Sequence, residues 1–419
     1  MITDTASKRW LIVLGTVIMQ MGLGTIYTWS LFNAHLVSTF GFELSSVSIT
    51  FSITSFALAF ATLFAGKLQD RFGLRRLTAA SGILLGLGLM LSSQASSLPM
   101  FYLLAGVVVG YADGTAYITS LSNLMKWFPK NKGLISGVSV GAYGTGSLIF
   151  KYINGGLIES AGVSDAFLYW GLMVMLMILL GSLLIREAPV AAPAVTAAGN
   201  RASSASGAAL LPKDYTVKEM LRTKEAYLLF VIFFTACMSG LYLIGIVKDI
   251  GVQLAGMDVA TAANAVAMIA IFNTAGRLIL GALSDRVSRT KLISITLAVT
   301  VVAMFTLSYA TLSYGLFFAC VAAIAFCFGG NITVFPAIVS DFFGLKNHSK
   351  NYGIIYQGFG IGALSGSFIA AFLGGFKPTF NIIGLLCILA CILAVSLKPP
   401  VAGAARAKGM SLKPSRHTA

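Results

Sequence analysis

Apolar runs of about twenty residues recur along the whole chain, separated by short polar stretches. They fall near 10–33, 45–66, 74–92, 98–122, 132–156, 165–186, 225–248, 258–283, 291–310, 313–338, 350–374 and 378–397. A hydrocarbon core about 30 Å thick is crossed by a helix of roughly twenty residues. Only a helix or a closed barrel satisfies its own backbone there. The pattern predicts an all-α membrane protein with twelve transmembrane helices, and it leaves no stretch for a soluble domain. One long break interrupts it, at 187–214, where Ala, Pro, Ser and Gly dominate and nothing can pack. This reads as a flexible linker. The next stretch, YTVKEMLRTKEA, places Val217, Met220 and Leu221 on one face among charges, and predicts a helix lying on the membrane surface. The expected organisation is a six-helix bundle at 1–186, a linker with an amphipathic helix at 187–224, a second six-helix bundle at 225–398, and a basic tail at 399–419.

Charge settles the orientation. The net charge is +15, yet only 10% of residues are charged and 57% are hydrophobic. Of the 29 basic residues, all but Lys151, Lys248, Arg277 and Lys377 fall in segments on one side of the predicted spans. This bias puts both termini in the cytoplasm, and it assigns the charge to topology and anionic lipid headgroups rather than to nucleic acid. The five cysteines lie inside predicted helices, show no metal spacing and imply no disulfide. His35, His348 and His417 lie near helix ends or in the tail. With no nucleophile–base pair and no phosphate-binding loop, an enzyme is not expected, nor is a cofactor or metal.

The halves echo each other. GKLQDRFGLRR follows the second span and GALSDRVSRTK follows the eighth, so Gly66 and Gly281, Asp70 and Asp285, and Arg71 and Arg286 are each 215 residues apart. Such spacing predicts duplicated, pseudo-symmetric bundles. The glycine permits close helix approach, the aspartate can meet a helix end or an arginine, and the basic residues hold the loop at the headgroups. Small residues crowd span five (Ser136, Gly137, Ser139, Gly141, Gly144, Gly146) and span eleven (Gly358, Gly360, Gly362, Gly366), as expected of faces that meet closely.

Few ionisable residues lie within the spans or at their ends: Asp113, Lys151, Lys248 with Asp249, and Arg277. An arginine there costs roughly 2.5–3.5 kcal/mol even on an insertion scale. It is either a structural residue held by an acid or carbonyls, or the site of an anion that comes and goes. Its planar fork suits a carboxylate. Asn273 is one turn away on the same face, Tyr27, Tyr143 and Asn331 offer further polar groups, and Phe328, Phe335, Tyr356 and Phe359 could wall a small apolar space. Asp113 reads as either a proton site or a permanently paired acid, with Tyr117 one turn on. Lys151, Lys248 and Asp249 read as interfacial.

Several segments resemble the major facilitator superfamily and, within it, the oxalate/formate antiporter family and the related monocarboxylate transporters. They are YTWSLF at Tyr27–Phe32, KWFPKNKGLISG at Lys126–Gly137, VGAYGTG at Val140–Gly146, FNTAGR at Phe272–Arg277, GGNITVFPAIVSDFFG at Gly329–Gly344 and NYG at Asn351–Gly353. The resemblance implies a substrate-carboxylate role for Arg277. Two positions depart from it. The oxalate transporter has a lysine eight residues after the Asn of NYG, where this chain has Phe359. Animal-type monocarboxylate transporters have a proton-binding aspartate where this chain has Asn273. The expectation is a monomeric secondary transporter of small monocarboxylates (lactate, pyruvate, acetate or formate type) in a bacterial inner membrane. It would work by alternating access and couple to protons through Asp113. The alternatives are an oxalate/formate-like or dicarboxylate exchanger, with Lys151 or Lys248 as second cation, and a non-transporting sensor.

Overall fold

Helices follow one another because the apolar runs carry no strand-forming alternation, and glycines or side-chain caps close several of them. The computed structural model describes residues 2–189 and 214–400. The first half contains α1 (Ile2–Gly24), a 3-10 turn (Thr25–Thr28), α2 (Ser30–Phe40), α3 (Leu44–Phe72), α4 (Leu74–Ser92), α5 (Leu98–Phe101), a π-helical stretch (Tyr102–Val108), α6 (Val109–Trp127) and α7 (Lys132–Leu184). The second contains α8 (Val217–Met220), α9 (Lys224–Gln253), α10 (Val259–Leu283), α11 (Arg289–Tyr309), α12 (Tyr314–Phe343), α13 (His348–Ile355), α14 (Gln357–Leu373) and α15 (Phe376–Ser396). No strand occurs among the described residues.

Ten helical stretches are long and apolar enough to cross a membrane. One is α7, 53 residues long, which Gly162 breaks at φ 82° and ψ 172°, so it makes two crossings. That backbone region is essentially closed to other residues. With α10 the crossings number twelve, in two pseudo-symmetric bundles of six, as the hydrophobic pattern predicts. The pairing inside each bundle is the same. In the first, crossing one packs on five, two on four and three on six, and crossing one also touches six (α1 on both parts of α7, α4 on its second part, α3 on α6). In the second, α9 packs on α14, α10 on α12 and α11 on α15.

The bundles meet where α7 faces α10 and α12, and where α3 faces α13 and α14. The small-residue faces divide between two jobs. Gly137 and Gly141 face α10, and Gly360 faces Ala59 of α3, so these lie between the bundles. Gly146 instead packs on Met21, and Gly358, Gly362 and Gly366 pack on α9, all within their own bundles.

One expected element is smaller than predicted. The amphipathic stretch forms a single helical turn, α8, closed by a capping box of Thr216 and Glu219. Met220 is buried while Leu221 stays exposed. The Tyr215 carbonyl accepts the amides of Asn347 and Asn351. This turn is tied to the second bundle. The rest of the linker, 190–213, and the tail from 401 lie outside the described residues.

Candidate functional site

Arg277 lies in α10, six residues or about 9 Å from the end that leads into Asp285. It is as far from that end as from the middle of the helix. The side chain is only 4% exposed. Its Nη1 donates to the Val140 carbonyl of α7 at 2.7 Å. Gly144 makes room for the guanidinium: a Cβ there would lie 3.1 Å from Nη1. Nε has no hydrogen-bond partner among the described residues. One turn earlier Asn273, 7% exposed, leaves its Nδ2 without a partner among them. Residues four apart share a helix face, so two buried donors sit together without acceptors. An unmet buried donor costs roughly 1–3 kcal/mol.

Asp113 of α6 is fully buried. The Tyr143 hydroxyl lies 3.3 and 3.4 Å from its two oxygens and donates to them. The Tyr143 ring packs on Tyr27 at 5.4 Å and on Tyr117 at 5.7 Å. Tyr27 in turn lies close to Arg277. No ion pair joins Arg277 and Asp113 among the described residues; tyrosines stand between. Tyr117 is buried, and its ring meets Tyr356 at 5.4 Å. Tyr356 stacks on Phe359 at 5.1 Å. Tyr27, Tyr117, Tyr143 and Tyr356 therefore form one aromatic cluster that bridges the bundles beside Arg277 and Asp113.

Other expected site residues lie elsewhere. Asn331 turns to α11, where its Oδ1 accepts the Thr296 hydroxyl at 2.8 Å, so it braces the second bundle. Phe328 lies against Gly240, and Phe335 packs on Phe233 at 4.5 Å, which makes both packing residues of α9 and α12. Lys151 is exposed, 5.8 Å over the Tyr152 ring. Asp249 is exposed, and the Lys248 side chain is not among those described.

The repeated loop motifs occupy the seam. Asp285 accepts the amides of Gly133 and Leu134, both at 2.8 Å, so it caps the first turn of α7 from the other bundle. Helix starts present unsatisfied amides and favour an anion. Gly281 and Gly133 allow this approach: a Cβ on Gly133 would lie 2.4 Å from the Gly281 carbonyl. Asp285 also pairs with Arg289 at 2.7 Å, and Asp341 binds Lys132 at 2.9 Å as well as Arg289. In the other repeat, Gly66 packs on Lys350 and Asp70 pairs with the Lys350 ammonium. Arg71 lies 5.3 Å over Phe72, and Arg286 is exposed.

Sequence reasoning missed the partners Lys132, Arg289 and Lys350, which it counted as topology charges, and it missed Asp341 and His348. This imidazole is buried between the bundles, its Nδ1 2.8 Å from the Ser122 hydroxyl of α6 and its Nε2 2.9 Å from the Pro336 carbonyl. A carbonyl only accepts, so Nε2 carries the hydrogen and Nδ1 accepts from the serine. The only available signal was two acids at the ends of apolar runs opposite basic ones. Side-chain bonds between the bundles run from these loops as far as Ala59, which receives Gln357, and Val140. Beyond those positions none joins the bundles among the described residues, so the structure is closed on the side of its loop motifs.

Comparison with known proteins agrees with this architecture. A family model described as Major Facilitator Superfamily matches residues 12–311 and 242–417. The chain is 48% identical to an uncharacterized MFS-type transporter, YhjX, of Escherichia coli strain K12, over 85% of this chain and 86% of the relative. It is 27% identical to the oxalate:formate antiporter of Oxalobacter formigenes over 95% and 93% of the two chains. Against apicoplast pyruvate carrier 1 of Toxoplasma gondii the identity is 26%, over 83% and 81%. Among solved structures, the superfamily transporter FucP in its outward conformation superposes with a TM-score of 0.71 at 12% identity, covering 93% of this chain and 98% of that one.

Proposed function

The chain belongs to the Major Facilitator Superfamily, and on that premise we propose that it is a secondary transporter of small monocarboxylates. One observation carries the reading: Arg277 and Asn273 are buried side by side, each with a donor that no acceptor among the described residues meets. With Nη1 held by Val140, the Nε edge is left for a carboxylate, which accepts two parallel charge-assisted bonds. The relatives whose names give a substrate are named for small carboxylates. Phe359 stands where the oxalate transporter has a lysine, and Lys151 is exposed. This favours one carboxylate per substrate.

In this reading Asp113 takes and releases the coupled proton, and Tyr143 communicates its state toward Arg277. The loops carrying Asp70 and Asp285 close the cytoplasmic side when the site faces outward, and the bundles alternate around it. The protein works as a monomer in a bacterial inner membrane, with both termini and the linker in the cytoplasm, in contact with anionic lipid. No nucleic acid, metal or cofactor takes part.

The test is uptake of labelled lactate, pyruvate, acetate and formate by proteoliposomes. Wild-type protein should concentrate at least one of them, and Arg277→Lys should lose at least roughly tenfold in transport, nearly as much as Arg277→Ala, because a point charge cannot form the fork. Wild-type rates in Arg277→Lys would overturn the reading. Similarity to an antiporter favours exchange as a second reading. Exchange predicts uptake that requires internal carboxylate and ignores an imposed pH gradient.

A further inference from the structure

We infer that His348 is a proton-sensitive latch between the bundles: its neutral ring holds the side of the loop motifs closed, and a proton from the cytoplasm releases it. The inference rests on the alternation of the bundles proposed above, and it concerns a group outside the substrate site. The ring is fully buried, at the very start of α13. It joins both bundles. Nδ1 accepts from the Ser122 hydroxyl of α6 at 2.8 Å, and Nε2 donates to the Pro336 carbonyl of α12 at 2.9 Å. The ring also stacks on Tyr352 at 5.6 Å. Both sides of the contact are braced. Asn123, beside Ser122, donates to the Arg186 carbonyl and accepts the Ala188 amide. Asn347 and Asn351, around His348, donate to the Tyr215 carbonyl. When the bundles part on this side, Ser122 leaves with the first, while His348 and Pro336 stay with the second.

This pairing uses the ring with a single proton. A second proton would create a buried charge with no acid to meet it. The charges that act on the ring are Lys126 of α6 and Lys132 of α7, both cations. Asp341 of α12 is taken by Lys132 and Arg289, and Asp70 of α3 by Lys350 of α13. The other charges on the helices packed here are Lys67 and Arg71 of α3, Asp113 of α6, Lys218 and Glu219 of α8, and Lys224 and Glu225 of α9. None of these acts on the ring, and α14 carries no charge. A buried charge is costly unless it is paired. Once the seam opens the ring meets water, where an imidazole takes up a proton with a pKa of about 6.5. Closure therefore expels a proton. The closed form keeps its full advantage above about pH 7 and loses it as pH falls through about 6.5. Acid on the cytoplasmic side thus favours the form that loads from within. Histidine is the side chain whose unperturbed charge changes in this range. His35 is exposed in α2, beyond the far end of α1, and His417 lies outside the described residues.

The test is pulsed EPR on the full chain in lipid nanodiscs, without substrate, at pH 7.5 and 5.5. Spin labels at Arg76→Cys of α4 and Lys291→Cys of α11, both exposed and in different bundles, report the ratio of closed to open form. The background lacks the five native cysteines. With His348 present the ratio should fall at least about tenfold between the two pH values, the shift expected of one proton. His348→Gln keeps a donor and an acceptor but does not titrate, and its fall should be smaller by about tenfold. His348→Phe, which keeps an aromatic ring against Tyr352, should lose the same share of the response. Comparing variants removes the contribution of other groups such as Asp113. Ser122→Ala keeps the titrating ring and removes one bond, so its ratio at pH 7.5 should drop about twofold to tenfold with the pH response intact. Thermal melts verify folding. A ratio that ignores pH with His348 present, an undiminished response in either folded His348 variant, or no drop in Ser122→Ala overturns the inference. The uptake of monocarboxylates judges the transport reading separately.

Discussion

Asp113 and Tyr143 set the sharpest expectation at the scale of single residues. The carboxyl is fully buried and, among the described residues, meets only the Tyr143 hydroxyl. If it carries the coupled proton, Asp113→Asn should abolish uptake driven by a pH gradient, while exchange of labelled for unlabelled substrate persists. Uptake against a gradient with an unchanged pH profile would make Asp113 structural. Tyr143→Phe removes that hydroxyl and should shift the pH profile of uptake toward higher pH, because the ionised acid loses its donor. Arg277 and Asp113 stood out in the sequence because a charge inside an apolar run costs free energy that pairing or function has to offset. The uncharged candidates were not resolved that way. Asn331 matches a family segment as well as Asn273 does, yet one turns to Thr296 and the Nδ2 of the other has no partner among the described residues. The difference is where each points around its helix axis, and a linear segment does not encode that.

Elements carry two further expectations. Gly162 breaks α7 in a conformation other residues avoid, and nothing lies within 4 Å of the Cβ it lacks. Gly162→Ala should therefore cost about 1–3 kcal/mol through the backbone alone and lower the melting temperature. Gly156→Ala, in a helical position with the same open space, serves as the control and should be neutral or slightly stabilising. Asp285→Asn weakens the cap on α7 and the pair with Arg289, charge-assisted contacts worth about 1.5–3 kcal/mol each when intact. Thiol labelling of Ser136→Cys, in a background lacking the five native cysteines, should then speed up; an unchanged rate would mean that the cap does not hold this side closed. The helices themselves were legible because each apolar run is long enough to cross a bilayer. The amphipathic stretch forms a shorter helix than its pattern suggests: its apolar face is short, and the Asn347 and Asn351 amides on Tyr215 tie its start to the second bundle.

At the scale of the whole molecule, the charge of the site decides which substrates compete. Arg277 is the single cation in the cluster among the described residues, and Phe359 stacks on Tyr356 where a second cation would be needed. Oxalate and malonate should therefore compete with labelled monocarboxylate at least roughly tenfold more weakly than pyruvate or lactate does, since their second carboxylate would be buried unpaired. Equal or stronger competition by oxalate would point to a dianion exchanger. The sequence by itself determined the helix count, the duplication and the isolated charges. Those follow from local hydrophobicity against a bilayer of known thickness, and from motifs repeated at equal spacing. Only the tertiary structure decided which charges meet across the bundles and which donors are left without acceptors. Asp70 finds Lys350, 280 residues away, and Asp285 reaches the start of α7, 151–152 residues away. Such pairs depend on how two rigid bundles face each other. That orientation comes from packing summed over whole helices, and no single segment carries it.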